Sequence, residues 1–415
     1  MKCFVSARSQ NWRWTVVVIF VIALLIRVAF VLMLQEGFYF PDSTEYSGAA
    51  VSLLKSGELG TTYNRPPGYP VFLATIYLFL GESILAVRLV ESVTGALLTI
   101  IIALIARRVG GEEVGALAGI LWSIYPLGVF IVGLIYPTSL LALLLACGLL
   151  CFIHWADKEL SPKRVFLAGI IWGLAALTIP AVIVTLGGIS TWIICYTRKK
   201  RVKFVCLLLI GVSFTVIPWM IRDFYVYDRL VLIEPRIVAQ LPRIDRSQKN
   251  VPEGKLDAIR NHPSLFAARY AHEFVHFWQP YPDHLAMDSR NVREEAHEAD
   301  HRIVEKTIFS QNNLVTFVNL VSTGPLFLFA IIGSVTMWLE PARRRYLALL
   351  WAIILSFAGV YSVFYAKTRY RIPIEPYITV LSAYGLRETW LLVAVHFGFS
   401  NGIVKAEIEA EVQEA

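Results

Sequence analysis

Runs of apolar residues long enough to cross a bilayer recur along almost the whole chain, and they leave it little choice of architecture. About 20 apolar residues span the hydrocarbon layer as a helix. Inside lipid, such a segment satisfies every backbone N–H and C=O within itself. Hydrophobic residues make up 56% of the sequence and charged residues 17%, a balance unlike that of a soluble globule. The expected fold is all-α: a polytopic transmembrane helical bundle.

The net charge of +7 raises the question of nucleic acid, and its placement answers it. The basic residues gather in short connections between apolar runs, at Arg107-Arg108, Lys158 with Lys163-Arg164, Arg198–Lys203 and Arg343–Arg345. That is the pattern of loops retained on the cytoplasmic side, so the partner is the bilayer and no nucleic acid is expected. Keeping each cluster inside orders the spans as 14–34, 84–106, 113–134, 138–155, two shorter crossings within Val165–Tyr196 broken at Pro180, 203–221, 313–338, 346–365 and 372–394. About ten spans result, with both termini cytoplasmic, in a cell membrane. The first run, Val16–Leu34, lacks a small-residue cleavage site at its end and reads as a retained helix. Cys3, Cys147, Cys151, Cys195 and Cys206 all fall in spans or on the inner side, so no disulfide framework is expected outside.

Val71–Leu80 is apolar but too short to cross, at roughly 15 Å as a helix. Counting it as a span would invert every later loop and put the basic clusters outside. It is therefore an interfacial or re-entrant piece of the first outer loop, 35–83. A second outer region, 222–312, contains a polar stretch, Asp288–Lys306, that reads as a helix. Transmembrane helices follow over 313–394, and the tail 395–415 ends in an acidic stretch, Lys405–Ala415, expected to be disordered.

The chemistry concentrates in Phe38–Pro70, FYFPDSTEYSGAAVSLLKSGELGTTYNRPPGYP. Tyr46, Ala49, Ala50, Leu53 and Leu54 form one stripe of a short helix, with Pro41 and Asp42 as a start signal and Gly57 as a stop. A helix of this kind lies on the bilayer surface with its polar end free. Asp42 followed three residues later by Glu45 fits a capping box; it equally fits a carboxylate set out for catalysis. Arg65 precedes the stiff turn Pro66-Pro67-Gly68-Tyr69-Pro70. Far downstream, Tyr365–Pro376 reads YAKTRYRIPIEP, which places Lys367, Arg369 and Arg371 at the outer mouth of the last span. Cations collected at headgroup level suit a lipid-linked phosphate or diphosphate; snorkelling toward anionic lipids is the plainer reading.

Asp42-x-x-x-Tyr46, then Gly57, then Arg65-Pro66-Pro67-Gly68-Tyr69-Pro70 resembles the first outer loop of the GT-C glycosyltransferases, in particular the bacterial protein O-mannosyltransferase and aminoarabinose transferase relatives. Arg369-Tyr370-Arg371-Ile372-Pro373 is similar to their last outer-loop motif, and Pro218-Trp219-Met220-Ile221-Arg222 to the end of a middle span. The matches run in order from position 27 to position 386. The resemblance implies an N-terminal transmembrane GT-C module over 1–221. It also implies an enzyme that moves a hexosyl or pentosyl group, with inversion, from a polyprenyl-phosphate carrier to a protein, lipid or glycan acceptor at the outer face. Asp42 then matches the general base. Arg65 matches a contact to the carrier phosphate, Tyr46 and Tyr69 line the substrate site, and Lys367, Arg369 and Arg371 steady the leaving phosphate.

The chain departs from those relatives at Ile135-Tyr136-Pro137-Thr138-Ser139, where many carry a second acid and this sequence has no carboxylate. Glu45 stands in place of a residue that is usually not acidic in the relatives, and reads as a cap. Arg27, Arg88 and Glu91 are charged residues in or near spans, which face the bundle interior or pair; the three-residue spacing of Arg88 and Glu91 suggests that they pair with each other.

A different chemistry is written in the second outer region. His272-Glu273-Phe274-Val275-His276 has the HExxH form, and His297-Glu298-Ala299-Asp300-His301 repeats its spacing. Histidines four apart on a helix hold zinc with the Glu as base. A divalent metal ion at His272, His276, His297 and His301 and a membrane-bound zinc metalloprotease are thus alternatives, as is a transporter or flippase of lipid-linked sugar. No third-ligand pattern follows either motif, and the polar residues crowd one outer face and do not trace a path across the midplane.

Overall fold

The computed structural model describes residues 2–60, 65–153, 160–197, 199–227, 260–280, 313–364 and 367–397. Among these residues the chain is helical, with no sheet. In order, the helices are α1 (Lys2–Leu32), α2 (Pro41–Ser56), α3 (Gly68–Leu80), α4 (Ile84–Ile124), α5 (Pro126–Phe130), α6 (Thr138–Ile153), α7 (Pro162–Thr178), α8 (Val182–Tyr196), α9 (Arg201–Tyr227), α10 (Pro263–Phe277), α11 (Asn313–Leu339), α12 (Arg344–Val363), α13 (Thr368–Arg371) and α14 (Glu375–His396). Single 3-10 turns follow α5 and α13.

Among the described residues six helical segments, against the ten or so spans expected, are long and apolar enough to cross a membrane, while α6 and α8 are shorter apolar helices. The six turn large apolar side chains outward, among them Val18, Leu25 and Leu32 of α1 and Leu209, Ile210 and Phe214 of α9. In water such a surface would aggregate; in lipid it is the solvated face. The protein is an integral membrane protein. The reading of Val71–Leu80 agrees with α3, a helix of 13 residues, too short to span.

Two breaks divide these apolar runs, one between two expected spans and one inside an expected span. At Gly111, whose φ of 88° is open to glycine at no steric cost, α4 folds back on itself and provides two successive crossings. The expected span 113–134 is not one helix, because Pro126 has no N–H for the Trp122 carbonyl and the chain restarts as α5. Arg27, fully buried on α1, supplies donors there: its guanidinium reaches the carbonyls of Trp122 (3.3 Å), Ser123 (3.4 Å) and Ala23 (3.1 Å).

The bundle has two chemically distinct ends. At one, Arg107 lies over Trp12 (4.6 Å) and pairs with Glu112 (2.6 Å), Arg343 pairs with Glu340 and donates to the Val109 carbonyl, and Tyr384 donates to Glu340 (2.6 Å). Trp192 on α8 donates to the Arg345 carbonyl at the same end (2.9 Å). The first outer loop, the turn before α6 and the segment before α14 meet at the other end. This alternation is what parity of the basic clusters requires.

Close helix crossings hold the bundle together. α11 and α14 meet at Gly333 and Gly385, where a methyl on either glycine would overlap a backbone carbonyl oxygen of the other helix, Leu381 or Phe329. Small residues let transmembrane backbones approach in this way. Gly385→Ala is expected to lower stability by about 1–3 kcal/mol, the scale of overpacking against unyielding backbone, read as a lower melting temperature in detergent.

Most of the region 222–312, including the Asp288–Lys306 helix, His297 and His301, lies outside the described residues, as does the tail Lys405–Ala415. Within the region, α10 is docked. Phe277 is buried, and Trp278 packs against Phe327 of α11 (6.1 Å) and Trp351 of α12 (6.4 Å).

Candidate active site

α2 is an amphipathic helix, as its stripe predicts, with Tyr46, Ala49 and Ala50 buried. Leu54 is not part of the buried face and is 44% exposed. The helix stops at Gly57, whose φ of 77° lets its N–H close on the Leu53 carbonyl (3.0 Å). Its start differs from a capping box. The N-cap is Phe40, Pro41 opens the first turn, and no side chain caps it. Proline brings no N–H at that position, so part of the need for a cap is absent. Asp42 and Glu45 are free for other work.

Asp42 is gripped from three parts of the chain. Arg65 donates to its Oδ1 (2.9 Å), Tyr136 donates to Oδ2, and Arg369 lies 3.5 Å from Oδ2, across 327 residues of sequence. Arg65 also pairs with Glu45 through Nε (2.6 Å). Glu45 is therefore an ion-pair partner and not a cap. The Tyr46 ring lies under Arg65 (5.5 Å) and edge-on to Tyr69 (5.3 Å) and Tyr136 (5.9 Å). Arg369 sits between the faces of Tyr136 (5.3 Å) and Tyr370 (5.1 Å).

The cations decide the charge of the carboxylate. Burial by itself pushes Asp42 upward, but Arg65, the Tyr136 hydroxyl and Arg369 outweigh it and hold Asp42 below the ordinary 3.8. Burial first, and then the nearby Asp42 charge, push the Tyr46 phenol up to about 12 against the pull of Arg65. Asp42 is thus ionised throughout the neutral range. Because its pKa is depressed on folding, the stabilisation it contributes is present above the unfolded value and lost as pH falls through the folded one. A reaction that uses Asp42 as base should show an acid limb in kcat/KM below pH 3.8, and Arg65→Gln should move that limb upward.

Beneath the site, α4 fixes what lies above it. Arg88 does not pair with Glu91. It donates to the carbonyls of Gln35 (2.8 Å), Gly37 (2.7 Å) and Gly133 (2.9 Å), tying the approach to α2 to the turn before α6. Glu91 accepts from the buried Tyr69 hydroxyl (2.9 Å). Their spacing permits a pair, but carbonyls and a phenol lie closer to hand.

The other sequence-derived residues separate. Lys367 is exposed at the start of α13. Arg371, grouped in the sequence with the phosphate cations, is fully buried. It pairs with Glu375 (2.8 Å) and donates to the carbonyls of Phe277 (2.9 Å) and Gln279, so it fastens the end of α10 and is not presented with Arg369. On α10, His272 is exposed and the His272 and His276 rings stack at 6.1 Å, whereas Glu273 turns inward. Among the described residues no three His, Cys, Asp or Glu side chains form a metal-sized cluster. Tyr136 is the contact that sequence reasoning missed, because that turn was searched for a carboxylate. Its only local signals are an aromatic before Pro137 and its place at the end of a span.

Solved membrane proteins of the GT-C fold share this arrangement of helices, and that is the fold of this chain. Within that class, residues 64–221 match the family described as dolichyl-phosphate-mannose-protein mannosyltransferase. The Archaeoglobus fulgidus oligosaccharyltransferase AglB, solved with an inhibitory peptide and a dolichol-phosphate, is similar over 94% of this chain and 52% of its own, with 15% identity and a TM-score of 0.58. Cupriavidus metallidurans ArnT is similar over 94% of this chain and 64% of its own, with 16% identity and a TM-score of 0.56. ArnT bound to undecaprenyl phosphate matches at 14% identity and a TM-score of 0.54. The chain thus spans between half and two thirds of these structures. No curated protein matched by sequence.

Proposed function

We propose that the protein is a membrane glycosyltransferase that moves a sugar from a polyprenyl-phosphate-linked donor to an acceptor at the membrane face where α2 lies. One observation carries this reading: the ionised Asp42 stands between Arg65 and Arg369 at the end of the bundle opposite the basic loops. Asp42 takes the proton of the acceptor nucleophile as that atom attacks the anomeric carbon from the face opposite the carrier. The bond from the anomeric carbon to the carrier oxygen breaks, its electron pair stays with the phosphate, and configuration inverts. Arg65 and Arg369, with Lys367 at the rim, meet the negative charge that develops there. The family match over 64–221 and the neighbour solved with undecaprenyl phosphate support the donor class. The neighbour tethered to an acceptor peptide makes a protein acceptor one of the acceptor classes to test. The basic loops support an orientation with the other end of the bundle and both termini in the cytoplasm and the site at the outer face of the cell membrane.

The test is to purify the full chain in lipid nanodiscs, identify copurifying lipid by mass spectrometry, and offer dolichyl- and undecaprenyl-phosphate-linked hexoses and pentoses. Transfer or donor turnover that Asp42→Asn abolishes is the expected result. Stoichiometric zinc that His272→Ala removes, together with peptide cleavage, would replace this reading with the protease. Passage of an intact lipid-linked sugar across vesicles, without its consumption, would replace it with the transporter.

A further inference from the structure

We propose that Tyr136 is the positioning residue of this site, a phenol that keeps Asp42 aimed when Arg65 and Arg369 turn to the donor phosphate. The inference rests on the glycosyl-transfer reading above.

Of the groups around Asp42, namely Glu45 and Tyr46 on α2, Arg65 before α3, Tyr136 before α6 and Arg369 on α13, two are cations that a phosphate would recruit. Tyr136 is neutral and has no reason to leave. Its hydroxyl donates to Oδ2, which leaves Oδ1, now shared with Arg65, to accept the proton of the nucleophile. Burial holds the phenol protonated, well above the ordinary tyrosine value, so it remains a donor through the neutral range.

The backbone is shaped around this contact. Ile135, immediately before Tyr136, adopts a φ of 54°, a left-handed conformation that β-branched residues avoid. Such strain persists only where the surroundings over-determine it, and here they do. Ser43 on α2 donates to the Leu134 carbonyl (2.8 Å), and Arg88 holds the Gly133 carbonyl (2.9 Å). The turn is therefore locked to the helix that carries Asp42. Phe40 and Tyr46 pack edge-on against the Tyr136 ring (6.4 and 5.9 Å), and Arg369 covers it. The ring has one orientation, and its hydroxyl points at the carboxylate.

Tyr136→Phe keeps the ring, its packing and the Arg369 contact while removing only the hydroxyl. In nanodiscs, the pH dependence of water-soluble carbodiimide labelling at Asp42, followed by mass spectrometry, reads the protonated carboxyl without any donor. Its midpoint is expected to rise by roughly one to two pH units, the effect of losing one hydrogen bond to a charged group. With the donor found above, kcat should fall roughly ten- to a hundredfold, with KM for the donor little changed. A kcat loss with an unmoved labelling midpoint, or no change in either, would overturn the proposal. If Tyr136→Phe does not fold, difluorotyrosine at position 136 keeps every contact and makes the phenol a stronger donor. The midpoint should then fall, and an unchanged one refutes the inference. Transfer retained by Asp42→Asn would refute the general-base reading instead, so the two failures are distinguishable.

Discussion

Asp42→Asn is expected to reduce transfer by at least 10²–10⁴-fold, the range that a positioned general base contributes, while undecaprenyl phosphate binds more tightly than to the unaltered protein. The two effects have one cause. Asp42 occupies Arg65 at 2.9 Å and Arg369 at 3.5 Å, so the base competes with a donor phosphate for the same cations. An amide at position 42 no longer competes, and affinity for the phosphate should rise by roughly two- to fivefold, the scale of a partly exposed ion pair. Stability at neutral pH should fall modestly, because the ionised carboxylate's contribution is lost while Arg65 keeps Glu45 and Arg369 keeps its place between Tyr136 and Tyr370. Binding isotherms for undecaprenyl phosphate, beside a melting curve, decide the matter. Weaker binding in Asp42→Asn would show that the carboxylate helps to hold the carrier and does not exclude it.

Glu375→Ala should destabilise the protein by about 3–5 kcal/mol, the cost of leaving one member of a buried ion pair uncompensated. Arg371 and Glu375 are both fully buried, one helical turn apart, with Arg371 Nε 2.8 Å from the carboxylate. The same guanidinium donates to the Phe277 and Gln279 carbonyls at the end of α10. Replacing the pair together by Met and Leu should recover most of the stability, because well-packed apolar residues often equal a buried ion pair. It should not recover the docking of α10, which would show faster hydrogen exchange over 263–280. A double variant with unaltered exchange there would mean that Phe277 and Trp278 alone hold the helix.

The fold was legible because its strongest determinants are local. Apolar length sets which segments span, and the placement of Arg and Lys sets which ends gather, so the treatment of Val71–Leu80 as a short interfacial piece agrees with α3. The turn at Gly111 lies between the spans read from apolar length, 84–106 and 113–134, whereas the break at Pro126 was harder to read because it lies within an apolar run. In the site, the residues that draw the eye by charge, Asp42, Arg65 and Arg369, come together. Partners chosen by sequence spacing alone do not. Arg88 and Glu91 satisfy other groups, Glu45 pairs with Arg65 and caps nothing, and Arg371 faces inward although Arg369 is only two positions away. Tyr136 could not be inferred from a search for acids, because its role depends on three-dimensional proximity to Asp42 and on a strained turn.

Asp42 lies on the first helix to follow α1, and Arg369 precedes the last helix described, the two being 327 positions apart. A chain leaving the ribosome therefore carries its carboxylate into the bilayer long before the opposing guanidinium exists. If the proposed function holds, the half-made protein lacks one of the two cations that flank its carboxylate until the segment before α14 has been made.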